Sequence, residues 1–195
     1  MQYFIIYKKS SFLFVYSQII SEIMAIIREL NGIKPKIGER CFIAENAAII
    51  GDVVIGDDCS IWYGTVLRGD VNPIRVGNRV NIQDGAVLHT LHKRSVVEIG
   101  DDVSVGHNAI IHGATIGNNV LVGMGAIVMD NAVVPDDTII GAGAIVLSNA
   151  ELEPGVYAGI PAKKVKEGSD EIREAARRNA HGYLNYKTWY LEDNE

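Results

Sequence analysis

Cysteine is scarce in this chain. Two Cys in 195 residues, Cys41 and Cys59, with no CxxC or other close spacing, cannot build a disulfide framework or a thiolate metal site, so a reducing compartment, the cytoplasm, is the default. Aromatic residues are only 7% of the chain, and 18 Lys plus Arg face 24 Asp plus Glu. Few rings are left on which bases could stack and no basic excess for a phosphate backbone, which argues against a nucleic-acid partner. An uninterrupted run of ~18 apolar residues is missing as well, which argues against a membrane span. What is present is 48% hydrophobic residues, 20 Gly and an abundance of Val and Ile, which point to one β-rich domain with an appendage rather than to a helical bundle.

Residues 1–23, MQYFIIYKKSSFLFVYSQIISEI, differ from the rest in being apolar and aromatic yet interrupted by Lys8, Lys9 and Glu22. The stretch Phe12 to Tyr16 is too short for a signal peptide, and no A-x-A site follows it. Met24 then opens MAIIRELNGIKPKIGE, which reads like an ordinary protein start. The expectation is a non-native or disordered extension without function, with a membrane-surface anchor as the alternative.

Aliphatic residues recur six apart at Ile37, Ile43, Ile49, Ile55, Ile61 and Leu67. The series resumes at Val76, Ile82 and Leu88, at Ile99, Val105 and Ile111, and at Ile116 through Val122, Val128, Val134, Ile140, Val146, Leu152 and Ala158. No amphipathic helix keeps that period. Gly often follows the aliphatic, as at Gly38, Gly56, Gly77, Gly100 and Gly117. A short strand and a Gly-assisted corner every six residues close a triangular coil about every eighteen, and the coils stack into a parallel β-helix with an aliphatic core. This solenoid is assigned to residues 24–166. From 167 to 195 the composition shifts, Ser169 reads as an N-cap, and Ile172, Ala176, Asn179, Tyr183 and Tyr190 fall near one stripe, which predicts a helix packed along the solenoid.

If Ile37 starts the first face of the triangle, all three irregular steps, Leu67 to Val76, Leu88 to Ile99 and Ile111 to Ile116, follow the third face. Loops there leave the column at one corner, where function tends to gather. Arg68, His89 and His112 each stand directly after a third-face aliphatic in consecutive coils. Coils ~4.8 Å apart let the two imidazoles reach one ion through ~2.0 to 2.1 Å bonds. His107 belongs to the second face, so one column cannot easily gather all three histidines, whereas a cyclic trimer can. A lone corner histidine is ordinarily solvated, but three of five within 24 residues at matched repeat positions read as a metal site for zinc, cobalt, iron or nickel.

The segments SIWYGTVLRGD (60–70), NIQDGAVLH (81–89), VGHNAIIHG (105–113) and YAGIPAKKV (157–165) resemble the γ-class carbonic anhydrase family of hexapeptide-repeat proteins over about residues 30–190. The resemblance implies left-handedness, a homotrimer, and a mainly β fold, a left-handed parallel β-helix followed by a C-terminal α-helix. It implies that His89, His107 and His112 hold Zn2+, with Fe2+ or Co2+ as substitutes, at a subunit interface. Arg68 and Asp70 resemble the family's intersubunit ion pair, Gln83 the side chain that orients the attacking oxygen, and Asp84 its interface neighbour. Tyr183 and Asn185 loosely resemble residues that the C-terminal helix donates to the active site, although a helix stripe packed on the column is the better account of them. The implied reaction is hydration of CO2 to bicarbonate.

Two positions depart from the best-studied branch, in which a glutamate follows the Arg-Gly-Asp motif and another sits in an acidic loop after the first histidine, both serving proton transfer. Here Val71 and the basic stretch TLHKRS stand in those places, and His92 is the remaining candidate shuttle. Two rival readings stay open. Hexapeptide solenoids also host acyltransferases and acyl-CoA thioesterases, which work without bound metal, and a trimer with a relict site would serve as a scaffold. Cys41 and Cys59 share an inward position in adjacent coils, close enough for a disulfide, but read better as small core residues.

Overall fold

The computed structural model describes residues 25–192, so the extension over 1–23 lies outside the described residues. The chain coils through about seven turns of a parallel β-solenoid and ends in a helix, α1 (Asp170–Glu192). The six-residue series becomes three ladders in which each aliphatic pairs with its counterpart one coil on. The first runs Ile37, Ile55, Val76, Ile99, Ile116, Val134. The second runs Ile43, Ile61, Ile82, Val105, Val122, Ile140. The third runs Ile49, Leu67, Leu88, Ile111, Val128, Val146. Nearly all of these side chains are buried in one contiguous core, each packed against the same position above and below. The period-six pattern follows from that stacking: one inward residue per face leaves its strand neighbours outside.

The glycines act differently from simple turn formers. Positive φ falls not on Gly38, Gly56, Gly77, Gly100 and Gly117 but two places further on, at Arg40, Asp58, Arg79, Asp102 and Asn119. A Cβ on Gly56 would lie 2.6 Å from Asn78 Oδ1, which accepts a hydrogen bond from Asp57 N at 2.9 Å. Asp57, Asp101, Asn118 and Asp136 accept the same bond from Glu39, Asn78, Asp101 and Asn118 N. Glycine is required because this side-chain ladder passes over it.

One expectation changes at the third corner. Leu67 to Val76 is not a loop but part of one eleven-residue strand, Val66–Val76, alongside the eight-residue strand Ala48–Ile55. Gly51 and Gly69 face each other where the strands turn, and the register shifts between Gly51 and Val53. Two residues without Cβ let the backbones bend together there. The step from Leu88 to Ile99 does contain a loop, Thr90–Val96, tied down by Asn72 Nδ2 donating to Leu91 O (2.9 Å) and Ser95 O (2.7 Å). Cys41 and Cys59 are free thiols that donate to Gly56 O and Gly77 O, both at 3.2 Å.

The strand Lys163–Glu167 folds back antiparallel on Gly155–Ala158 and ends the parallel ladder. Helix α1 then runs back along one corner, where Arg173 pairs with Asp137 (3.0 Å), and Lys187 with Asp58 (3.1 Å). Ser169 Oγ accepts from Ile172 N at its start. The buried stripe is Ile172, Ala176, Ala180 and Lys187, while Tyr190 lies half-exposed with its ring against Phe42 and Trp62. Among the described residues no helix is long and apolar enough to cross a membrane.

Lys187 is 5% exposed, and its ammonium also donates to Arg40 O at 2.7 Å. Lys187→Met is expected to cost about 2 kcal/mol, lowering the melting temperature by roughly 6 °C, because two charge-assisted bonds disappear from a buried position. Hydrogen bonds from Arg40 and Lys187 hold the Asp58 carboxyl down at about 2 against some desolvation. A depressed carboxyl stabilises above its unfolded value of about 3.9 and loses that contribution as pH falls through the folded value. The difference in melting temperature between wild type and Lys187→Met should therefore narrow from pH 4 toward pH 2, as a thermal-melt series would read.

Candidate metal centre

His89 and His112 end the strands Val87–His89 and Ile110–His112 and are direct partners across adjacent coils. Each imidazole has a carboxylate behind it. His89 Nε2 lies 3.0 Å from Asp70 Oδ1, and His112 Nδ1 lies 2.9 and 3.0 Å from the two Asp130 oxygens. Desolvation pushes both carboxyls up, but hydrogen bonds outweigh it and hold them below the usual carboxylate range: from His89 and Arg68 on Asp70, and from Ser95 and His112 on Asp130. An ionised carboxylate only accepts, so the ring nitrogen facing it carries the hydrogen. The other nitrogens, His89 Nδ1 and His112 Nε2, face each other at 3.2 Å, and two neutral rings present lone pairs to each other there.

Two lone pairs that close repel unless a cation lies between them. The separation also suits an ion: nitrogens ~2.0 to 2.1 Å from a tetrahedral metal stand about 3.3 Å apart. A carboxylate behind each ligating imidazole is the usual outer arrangement of histidine metal sites. The donor set present therefore fits a divalent ion of the zinc type.

His107 has the same design in a different place. It follows the strand Ser104–Val105 on the second face, with Nδ1 2.9 Å from Asp84 Oδ2 and Nε2 3.4 Å from the Tyr183 hydroxyl. Desolvation first, then the Asp84 charge, pushes the Tyr183 phenol up to about 12, so it stays protonated at neutral pH and can donate to Nε2. Among the described residues no three His, Cys, Asp or Glu side chains are placed to hold one ion. The structure thus joins His89 to His112 within the chain and does not bring His107 to them.

Arg68 and Asp70, which the resemblance puts between subunits, pair within this chain, Nη1 to Oδ2. Gln83 is 4% exposed, and its amide donates to Asn81 Oδ1 at 2.9 Å, while Asn81 donates to Ser104 Oγ at 2.8 Å. That chain fixes the Gln83 amide. Asn185 is exposed on α1, with its carbonyl accepting from Thr188 Oγ1. Tyr183 packs edge-on to Trp62 at 5.5 Å and with it lines an open cleft of about 440 Å3 that Asp84 also borders.

Asp130 and Ser95 escaped the sequence reading. Asp130 lies two residues past Val128, one place farther round the corner than His112 lies past Ile111, so it is out of step with the repeat. The signal that would have found it is chemical: a ligating imidazole needs an acceptor behind it.

The family models described as Bacterial transferase hexapeptide (six repeats) and Hexapeptide repeat of succinyl-transferase match residues 34–69 and 96–129. A carbonic anhydrase of Geobacillus kaustophilus (strain HTA426) is 50% identical over 154 residues, 78% of this chain and 84% of that protein. Gamma carbonic anhydrase 2, mitochondrial, of Arabidopsis thaliana is 40% identical over 166 residues, 82% of this chain and 60% of that protein. Among solved structures, a hexapeptide transferase family protein from Anaplasma phagocytophilum superimposes with a TM-score of 0.79 at 42% identity, covering 85% of this chain and 98% of that one. With its stacked hexapeptide coils and these relatives, the chain belongs to the γ-class carbonic anhydrase-like family of left-handed β-helix proteins.

Proposed function

We propose that this chain is a zinc-dependent carbonic anhydrase that hydrates CO2 to bicarbonate, each site being completed in a homotrimer by His107 of a neighbouring copy. The observation that carries the reading is the pair of imidazole nitrogens facing each other at 3.2 Å, each ring backed by an ionised carboxylate. His89 and His112 offer two ligands and His107 the third, its Nδ1 occupied by Asp84 and its Nε2 in only a long contact with the Tyr183 hydroxyl, which a metal would displace. Zinc, when bound, supplies a Lewis acid that makes a water nucleophilic near neutral pH. Gln83, held by Asn81, aligns the attacking oxygen with the CO2 carbon. Asp70 divides its oxygens between His89 and Arg68 and so links the metal ligand to the Arg68 guanidinium. Tyr183 stands beside His107, and Asn185, exposed two residues further along α1, is the second helix residue that the family resemblance suggests.

Metal analysis of anaerobically purified protein, run beside a CO2 hydration assay, tests the proposal. Bound zinc with hydration supports it; acyl-thioester cleavage that survives chelation would instead make the chain an acyl-transfer enzyme. Assembly is a separate expected outcome. Light scattering should give the mass of three chains, and Arg68→Ala or Asp70→Ala should shift the mass toward one, because the family resemblance puts these two side chains at the subunit contact, where loss of one leaves the other charge without its partner. A stable wild-type monomer that keeps one metal per chain would sink the shared site.

A further inference from the structure

We infer that Asp130, clamped by Ser95, is a positioning residue that fixes the tautomer of His112 and presents its Nε2 to the metal. The inference rests on the metal site proposed above. His112 Nδ1 meets both oxygens of Asp130, at 2.9 and 3.0 Å, so the ring nitrogen is held by the whole carboxylate rather than by one oxygen. Asp130 is in turn held by Ser95 Oγ, which donates to Oδ1 at 2.6 Å.

Ser95 is itself fixed from the backbone. Its hydroxyl oxygen accepts from Leu91 N at 2.9 Å, which turns the hydroxyl hydrogen toward Asp130. Its carbonyl and that of Leu91 accept from Asn72 Nδ2. The loop after His89 is therefore anchored on the same carboxylate that orients His112, and Ser95 is 5% exposed. Gly113 completes the arrangement. It sits at φ +62°, and a Cβ there would fall onto the Ser95 side chain and Asp130 Oδ1, so the space beside His112 is kept open for this pair.

The chemistry follows from the acceptor. A neutral imidazole carries one hydrogen, and an ionised carboxylate at Nδ1 holds it there and leaves the lone pair on Nε2. Without the charge the two tautomers become closer in energy, and the ring spends part of its time with Nε2 protonated, which cannot bind metal. The carboxylate also raises the basicity of the ligand. His89 receives the same service from Asp70, but that carboxylate is shared with the charged Arg68, whereas the side chain that shares Asp130 with His112 is the neutral Ser95 hydroxyl.

The test is zinc affinity of the full chain, measured by competition with a chromophoric chelator, together with the visible absorption spectrum of the cobalt-substituted protein. Asp130→Asn keeps the volume and removes the charge. It should weaken zinc binding by about 10- to 100-fold and change the cobalt spectrum, while the metal-free protein melts within a few degrees of wild type. Ser95→Ala, which leaves the carboxylate but loosens it, should weaken binding less than Asp130→Asn. Asp130→Asn binding zinc within twofold of wild type, with an unchanged cobalt spectrum, would overturn the role. So would weakened binding that merely tracks a large loss of metal-free stability in both variants. A wild-type chain that binds no zinc removes the metal site and this inference with it, whereas tight wild-type binding that Asp130→Asn leaves unchanged removes the inference alone.

Discussion

His89→Ala and His107→Ala should each lower zinc affinity by more than about 100-fold and abolish CO2 hydration, since loss of a ligand exceeds the 10- to 100-fold cost of losing an outer-shell partner. Mixing the two dead proteins should restore part of both. In a cyclic trimer each site takes His89 and His112 from one chain and His107 from the next. A site is intact only where a His107→Ala chain supplies the histidine pair and a His89→Ala chain supplies His107. With equal amounts and random exchange that happens at about a quarter of the sites, so about a quarter of wild-type zinc and activity should return. The absence of recovery after proven exchange would place all ligands in one chain. The geometry favours sharing, because His89 and His112 pair on the third face while His107 turns toward Asp84 and Tyr183 on the second.

Hydration should be weak to moderate in plain buffer and should rise by about tenfold or more on addition of imidazole at saturating CO2. In the proposed reaction, attack on carbon would draw on the metal and on Gln83, and neither needs a proton carrier at Val71 or His92. Regenerating the nucleophile requires a proton to leave through a group that titrates near neutrality. Val71 offers none, and His92, exposed in the turn of the loop over 90–96, is the candidate carrier. Asn72 ties both ends of that turn, which keeps the backbone at His92 close to the third corner. His92→Ala should deepen the dependence on added imidazole without changing bound zinc. A zinc-replete trimer that hydrates no CO2 at any imidazole concentration yet cleaves acyl thioesters would defeat the carbonic anhydrase reading.

Two kinds of feature escaped the periodic reading. The Gly-Asx steps at Gly56–Asp57, Gly77–Asn78 and Gly100–Asp101 look like turn chemistry in one dimension, yet each glycine is needed because an Asx side chain from the next coil bonds across it. The nine-residue step from Leu67 to Val76 looks like a loop because the period breaks, yet the backbone keeps its pairing around the corner through Gly51 and Gly69. Both depend on the coil above or below, about eighteen residues away, and no local pattern carries that information.

The solenoid itself is written in the order of the amino acids. A core made of one aliphatic per face must repeat every six residues, and Ile37 through Val146 state that repeat openly enough to set the three faces and to put His89 and His112 in one column. What stands behind each imidazole, and which way its free nitrogen points, emerges only once the coils are packed. Asp70 and Asp130 follow third-face aliphatics by three and two residues and Asp84 follows a second-face one by two, and they act through hydrogen bonds of about 3 Å that depend on side-chain direction. The period arises from burial, which is averaged over every coil, whereas the orientation of a ligand depends on a single contact and so leaves no period to read.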